Sequence, residues 1–198
     1  MELIPVFHLG SKPLPQGATA TTMIDFSQNY FALFGLAPRY RLDAGQLDAA
    51  YRKLQSEVHP DRHAAAAEAQ RRLALQSSAR VNEAYRALKN PVDRAQYLLG
   101  LNGIEAMSET DTALRPEFLE RQLERREAVS DAAASGDRRE LGALLAKLRA
   151  EMSDLEHVLE SELDREHALD SARTTVRELK FLCKLAADIE SAIAELES

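Results

Sequence analysis

Tyr51-Arg52-Lys53-Leu54-Gln55-Ser56-Glu57-Val58-His59-Pro60-Asp61-Arg62 brings one helix to a stop and begins a turn. The residues leading into it form an apolar stripe at three- and four-residue steps: Leu47, Ala50, Tyr51, Leu54 and Val58. Pro60 ends the stripe, because proline has no N–H to donate and its ring drives His59 out of helical geometry. His59 and Asp61 are then expected on a polar tip, clear of the core. A second stripe follows at Leu73, Val81, Ala84, Tyr85 and Leu88. Two amphipathic helices joined by a short polar loop predict an antiparallel hairpin.

Working outward, the whole chain reads as all-α. Of its 198 residues 45% are hydrophobic, enough for a packed core. Gly and Pro are sparse, and no alternation of Val, Ile and Thr marks a strand. No apolar run approaches the roughly 20 residues that cross a bilayer, so no membrane association is expected. Cys183 is the only cysteine. It has no internal disulfide partner, which fits a reducing compartment, and one thiol does not hold an iron–sulfur cluster.

The net charge of −7 is unevenly spread. Residues 1–103 carry 12 Lys/Arg against 9 Asp/Glu, and residues 104–198 carry 13 against 23. Halves of opposite sign suggest two domains with different partners. The acidic half lacks the clustered cations that phosphate contacts need, so no nucleic-acid partner is expected.

Four segments follow. Residues 1–25, broken by Pro5, Gly10, Pro13, Pro15 and Gly17, read as a tail, natural or left from expression. With one Lys and no Arg the segment is a poor signal or transit peptide, and Met23 is a candidate alternative start. Residues 26–101 form the first domain and 102–115 a connection rich in turn formers. Residues 116–198 read as three helices. The first spans 116–134, with Pro116 in its first turn, and stops before Ser135-Gly136. Asp137 with Glu140 caps the second, whose stripe runs Leu141, Leu144, Leu145, Leu148, Met152, Leu155, Leu159, Leu163. The third runs Leu169, Ala172, Val176, Leu179, Leu182, Ala186, Ile189, Ile193, Leu196. Short connections predict a three-helix bundle, and a coiled-coil dimer is the competing use of such stripes.

The first domain resembles a J-domain, the module by which co-chaperones switch on ATP hydrolysis in DnaK-type chaperones. The resemblance rests on Tyr51-Arg52-Lys53-Leu54 followed by His59-Pro60-Asp61-Arg62 and a long helix. Asn29-Tyr30-Phe31-Ala32-Leu33-Phe34-Gly35-Leu36 is similar to the family's first helix, Asn82 through Pro91 to the end of its third, and Asp93 through Leu99 to its fourth. A J-domain followed by an acidic helical domain, without a glycine-rich linker or CxxC repeats, resembles the HscB family of iron–sulfur cluster biogenesis. Glu117-Phe118-Leu119, Gln122-Leu123-Glu124 and Arg126-Glu127 are similar to its scaffold-binding helix, and Thr175 through Leu182 to the partner segment on the last helix. Glu120 and Arg125 stand where that family tends to be more apolar. Eukaryotic relatives carry a tetracysteine site near the N-terminus, and its absence favours a bacterial, cytoplasmic protein.

The resemblance implies that His59, Pro60 and Asp61, with Arg52, Lys53 and Arg62 around them, bind a DnaK-type (HscA-like) chaperone. No catalytic group is supplied, so the effect comes from binding one state of the partner better than another. Leu119, Leu123, Glu124, Arg126, Glu127 and Phe181 are implied as the site for an IscU-like cluster scaffold. Residue geometry adds one independent clue: Phe181 lies about 160° or more from Leu179 at roughly 100° per residue, off the core stripe of its helix. Leu119 and Leu123 are one turn apart, but Phe118 beside them leaves the phase of that helix open. His59 and His63 are four apart with Pro60 between them and no third ligand nearby, so neither a metal nor a cofactor is expected. A general co-chaperone for unfolded clients and a structural helical dimer are the alternatives. A monomer is favoured over the dimer, and an enzyme is the least supported class.

Overall fold

The computed structural model describes residues 24–63, 66–107 and 114–197. Among them are seven α-helices and no strand: α1 (Tyr30–Leu33), α2 (Ala44–Val58), α3 (Glu68–Lys89), α4 (Pro91–Leu101), α5 (Pro116–Ala134), α6 (Arg138–Asp164) and α7 (Leu169–Glu195). A single 3₁₀ turn, Pro60–His63, follows α2. Most of the tail read in 1–25, and residues 108–113 of the connection, lie outside the described residues. Ile24, which the sequence places in that tail, is buried in the core.

Local chemistry sets the helix ends. Asn29, Asp43, Asn90 and Asp137 each cap a helix, their side-chain oxygens accepting from Ala32, Gln46, Val92 and Glu140 N–H groups at 2.8–3.0 Å. Asn90 closes α3 and opens α4 at once, with Pro91 in the first turn, where its missing N–H costs nothing. Gly136 takes φ 67° between α5 and α6, a conformation that favours glycine. The Asp137 N–H meanwhile returns to the Ala132 carbonyl at 2.8 Å.

The predicted hairpin is α2 against α3. The Tyr51 and Tyr85 rings stack with centroids 4.0 Å apart. The Tyr51 hydroxyl donates to Asn82 and the Tyr85 hydroxyl to Asp48, both at 2.9 Å. Lys89 adds a 2.7 Å bond to the same Asp48 carboxylate. Asp48, which in sequence dilutes the positive charge of α2, is therefore tied to α3. Helix α1 packs across the hairpin, its Tyr30 ring stacked on Tyr97 of α4 at 4.2 Å.

The two halves of the chain share one core. Phe31, Leu47, Val81, Leu88 and Leu99 from the first half join Leu159, Leu163, Ala172, Val176 and Leu179 of α6 and α7 in a single apolar cluster. Helix α4 lies on α7 and α6, and is the surface through which the halves meet. A carboxylate locks the arrangement: Asp164, at the end of α6, accepts the backbone N–H of Tyr40 at 2.7 Å and of Arg41 at 2.9 Å. Arg41 also pairs with Glu160 at 3.1 Å. The stretch read as a connection is partly core, since Ala106 is buried and its carbonyl accepts from Arg177 Nε at 2.7 Å.

A second cluster fills the far end of the bundle, with Phe118 and Ala132 of α5 against Leu141, Leu145, Leu148, Leu182, Leu185 and Ile189. The long stripes of α6 and α7 face each other inside one chain. Polar side chains are also buried where α6 and α7 meet the start of α5. Glu162 and Glu178 are both buried, and burial pushes both carboxyls above the ordinary value of 4.5. Arg115, just ahead of α5, pairs with Glu178 at 3.3 Å and donates to Thr175 at 3.2 Å. Thr175 in turn bonds Glu162 at 3.3 Å.

Two measurements check these contacts. Replacing Asp164 with Ala removes a carboxylate holding two backbone N–H groups and should cost about 2 kcal/mol in urea unfolding. A loss below about 0.5 kcal/mol would mean that the halves do not depend on the Asp164 carboxylate. The buried carboxylates work in the opposite sense to ordinary surface acids. Their folded pKa is raised, so the folded state holds protons more tightly than the unfolded chain. Their contribution is most favourable below 4.5 and is lost as pH rises through the folded value. Glu162→Gln and Glu178→Gln should therefore gain stability relative to the parent between pH 5 and pH 7, and a difference that stays constant with pH would refute this.

Candidate functional site

Two surfaces gather the residues singled out in sequence. At the first, Asp43 caps the start of α2 and Pro60 terminates its end, with His59 in an extended conformation at φ −61°, ψ 130°. Val58 is buried, and the next residue, His59, is exposed. The tip turns through the 3₁₀ segment, with the Arg62 N–H donating to the His59 carbonyl at 3.1 Å. The Asp61 N–H donates to His59 Nδ1 at 3.3 Å. The Asp61 carboxylate stands 3.6 Å from that same nitrogen, with 91% of its side chain exposed.

Arg52 and Lys53 are exposed on α2 one to two turns before the tip. Arg62 differs from them: its Nη1 reaches back to the Ser56 carbonyl at 3.0 Å. The structure thus brings His59, Pro60, Asp61, Arg52 and Lys53 to one end of the hairpin with their polar groups outward, and ties Arg62 to α2. The His63 side chain lies outside the described residues.

The second surface is formed by α5 and α7. Phe118 is 1% exposed and Gln122, one turn on, is buried, which fixes the phase of α5. Leu119 and Leu123 consequently face outward, 49% and 63% exposed, on one side of the helix. Together they present an exposed apolar pair one turn apart on the outer face of α5. Glu124, Arg126 and Glu127 are exposed around them.

Phe181 is half-buried rather than wholly off the core. Its ring meets Phe118 edge to face at 5.9 Å, and the Arg126 guanidinium lies 5.0 Å over its other side. Arg125 turns inward to an ion pair with Glu151 of α6 and leaves the outer face of α5. Glu120 remains exposed. Sequence reasoning missed Phe118 as the buried support under Phe181, because burial of one of three neighbouring apolar residues depends on where α6 and α7 lie. Among the described residues no three His, Cys, Asp or Glu side chains come together to hold a metal ion, and no helix is long and apolar enough to cross a membrane.

Known proteins share both surfaces' framework. Residues 29–97 match the DnaJ domain family, and residues 114–190 match the HSCB C-terminal oligomerisation domain. A co-chaperone protein HscB homolog of Azoarcus sp. is 44% identical over 88% of this chain and 99% of its own length. One from Burkholderia multivorans is 43% identical over 89% of this chain and 100% of its own. Among solved structures, chaperone HscB from Vibrio cholerae superposes with a TM-score of 0.77 at 37% identity, covering 85% of this chain and 99% of that one. Human co-chaperone protein HscB, at 24% identity and TM-score 0.78 over 84% and 83% of the two chains, shares the fold.

The two leucines and the phenylalanine beneath them should separate in unfolding experiments. Phe118→Ala should cost about 3–5 kcal/mol, whereas Leu119→Ala and Leu123→Ala should each stay within about 0.5 kcal/mol of the parent. A large loss from either leucine variant would place that side chain in the core.

Proposed function

The chain belongs to the HscB family of J-domain co-chaperones, and on that footing we propose that it carries an iron–sulfur cluster scaffold to a dedicated DnaK-type chaperone and stimulates that chaperone's ATPase. The proposed chaperone is HscA-like and the scaffold IscU-like. The chain is a regulator that contributes no group to the hydrolysed phosphate, and works in the cytoplasm as a monomer. Support for the monomer comes from α6 and α7, whose apolar stripes face each other within one chain. In this reading 26–101 is the J-domain, 102–115 the connection and 116–198 the scaffold-binding domain.

The observation that carries the proposal is the pairing of two outward surfaces on one shared core. At the hairpin tip, His59, Pro60 and Asp61 form the docking element, and the Asp61 carboxylate is free to accept a charge-assisted bond from a partner Arg. Arg52 and Lys53 extend it with positive charge. On α5 and α7, Leu119, Leu123 and Phe181 are the apolar anchors for the scaffold, rimmed by Glu124, Arg126 and Glu127, as interfaces place apolar groups centrally and polar groups outside. The shared core holds both surfaces in one body, so a scaffold bound at α5 travels with the tip that engages the chaperone.

The test is steady-state ATP hydrolysis by the chaperone with this chain and the scaffold added singly and together. Stimulation should be synergistic and should disappear in His59→Gln. Truncating an anchor costs on the order of 2 kcal/mol, so each of Leu119→Ala, Leu123→Ala and Phe181→Ala should weaken scaffold binding about thirtyfold. A triple Ala variant that binds the scaffold like the parent would remove the α5–α7 assignment. Stimulation indifferent to the scaffold would leave only the J-domain function.

A further inference from the structure

The last carbonyls of α2, as at any helix end, have no helical donor, and at Ser56 the sequence itself removes it. In an α-helix the carbonyl of residue i accepts the N–H of residue i+4. For Ser56 that residue is Pro60, which has no N–H. The last turn of α2 contains no basic residue to stand in. The donor comes instead from beyond the proline, where Arg62 Nη1 bonds the Ser56 carbonyl at 3.0 Å. A guanidinium at this point also faces the negative end of the helix dipole.

This contact closes the tip. The Arg62 N–H bonds the His59 carbonyl at 3.1 Å, and the Asp61 N–H bonds His59 Nδ1 at 3.3 Å. Both of these bonds lie within the turn and say nothing about its direction relative to α2. Among the described residues the Arg62 side chain is the hydrogen-bonding group that ties the turn back to α2, spanning six residues, while the turn also packs on α3. Pro60 and Asp61 lie inside the arc it closes. The proline frees the carbonyl and the arginine re-engages it, so His59 and Asp61 are held outward at a fixed angle.

We propose that Arg62 is a positioning residue, which orients the His59–Pro60–Asp61 tip by capping α2 and makes no contact of its own with the chaperone. The proposal rests on the J-domain reading above. Its consequence is quantitative. When a docking element is only partly in its competent conformation, its apparent affinity falls by that fraction, while the bound complex is unchanged. Loss of the cap should raise the concentration needed for half-maximal stimulation and leave the saturating rate alone. A charge contact with the chaperone would behave differently, because its contribution is screened away by salt. Lysine retains a donor and a charge, so Arg62→Lys should restore much of what Arg62→Ala loses.

The experiment uses the full chain as parent, Arg62→Ala and Arg62→Lys. In the chain alone, NMR-detected exchange of the Arg62 amide and of the last α2 amides should be about tenfold faster in the Ala variant, and within about threefold of the parent in the Lys variant. In the chaperone ATPase assay, Arg62→Ala should raise the half-saturating concentration severalfold at both low and high salt, with the same maximal rate. Unchanged exchange in Arg62→Ala would overturn the proposal, as would an affinity penalty that vanishes at high salt. If the parent itself fails to stimulate the chaperone, the proposed function falls, and the exchange measurement still decides whether Arg62 holds the tip.

Discussion

The carboxylate of Asp164 holds two backbone N–H groups of the segment joining α1 to α2, and so joins the half of the chain that carries one candidate surface to the half that carries the other. The long hairpin of α6 and α7 otherwise meets the rest of the chain through side-chain packing, the Arg41–Glu160 pair and the Arg177 bond to the Ala106 carbonyl. Backbone N–H groups are fixed in the chain, so bonding them to a helix end sets the orientation of the halves as well as their proximity. Leu159, Leu163, Val176 and Leu179 then fill the space beneath with apolar contacts shared with Phe31, Leu88 and Leu99. Apolar burial supplies most of the attraction, and the two hydrogen bonds supply direction.

The same division of labour recurs at the tip of the first hairpin. Stacked Tyr51 and Tyr85 hold α2 on α3. Proline then determines where α2 stops, and a side chain returning from residue 62 determines where the turn points. On α5 the order is reversed. Phe118 is buried first, and its burial turns Leu119 and Leu123 outward. Phe181 completes that surface from α7 with one edge in contact with the core and one face beneath Arg126, and so joins the apolar patch to its interior support.

The buried layer of Arg115, Glu162, Thr175 and Glu178 works against stability at neutral pH. Two carboxylates removed from water share one nearby guanidinium, and one oxygen of each finds no hydrogen-bond partner among the described residues. Arg115 precedes α5 directly, so the start of the helix that carries the exposed leucines is held by these charges.

The sequence by itself determined what depends on local chemistry. Pro60 has no N–H in any context, so the end of α2 and the exposure of His59 and Asp61 could be read directly. Asp137 with Glu140 likewise announced a helix start, because a cap is satisfied by N–H groups two or three residues away. The stripes of α6 and α7 disclosed a helical bundle for the same reason. Other features waited for the tertiary structure. Whether Leu119 or Phe118 faces inward depends on the position of α7. Arg125 leaves the outer face of α5 because Glu151 lies opposite. Burial of Glu162 and Glu178 was illegible, since nothing in a charged residue's neighbours along the chain says that another helix will cover it. Arg62, in sequence one more cation near the loop, became a helix cap only once its distance to Ser56 was known. Periodicity and capping act over four residues or fewer, whereas burial and partnership are decided by segments that meet from far apart in the chain.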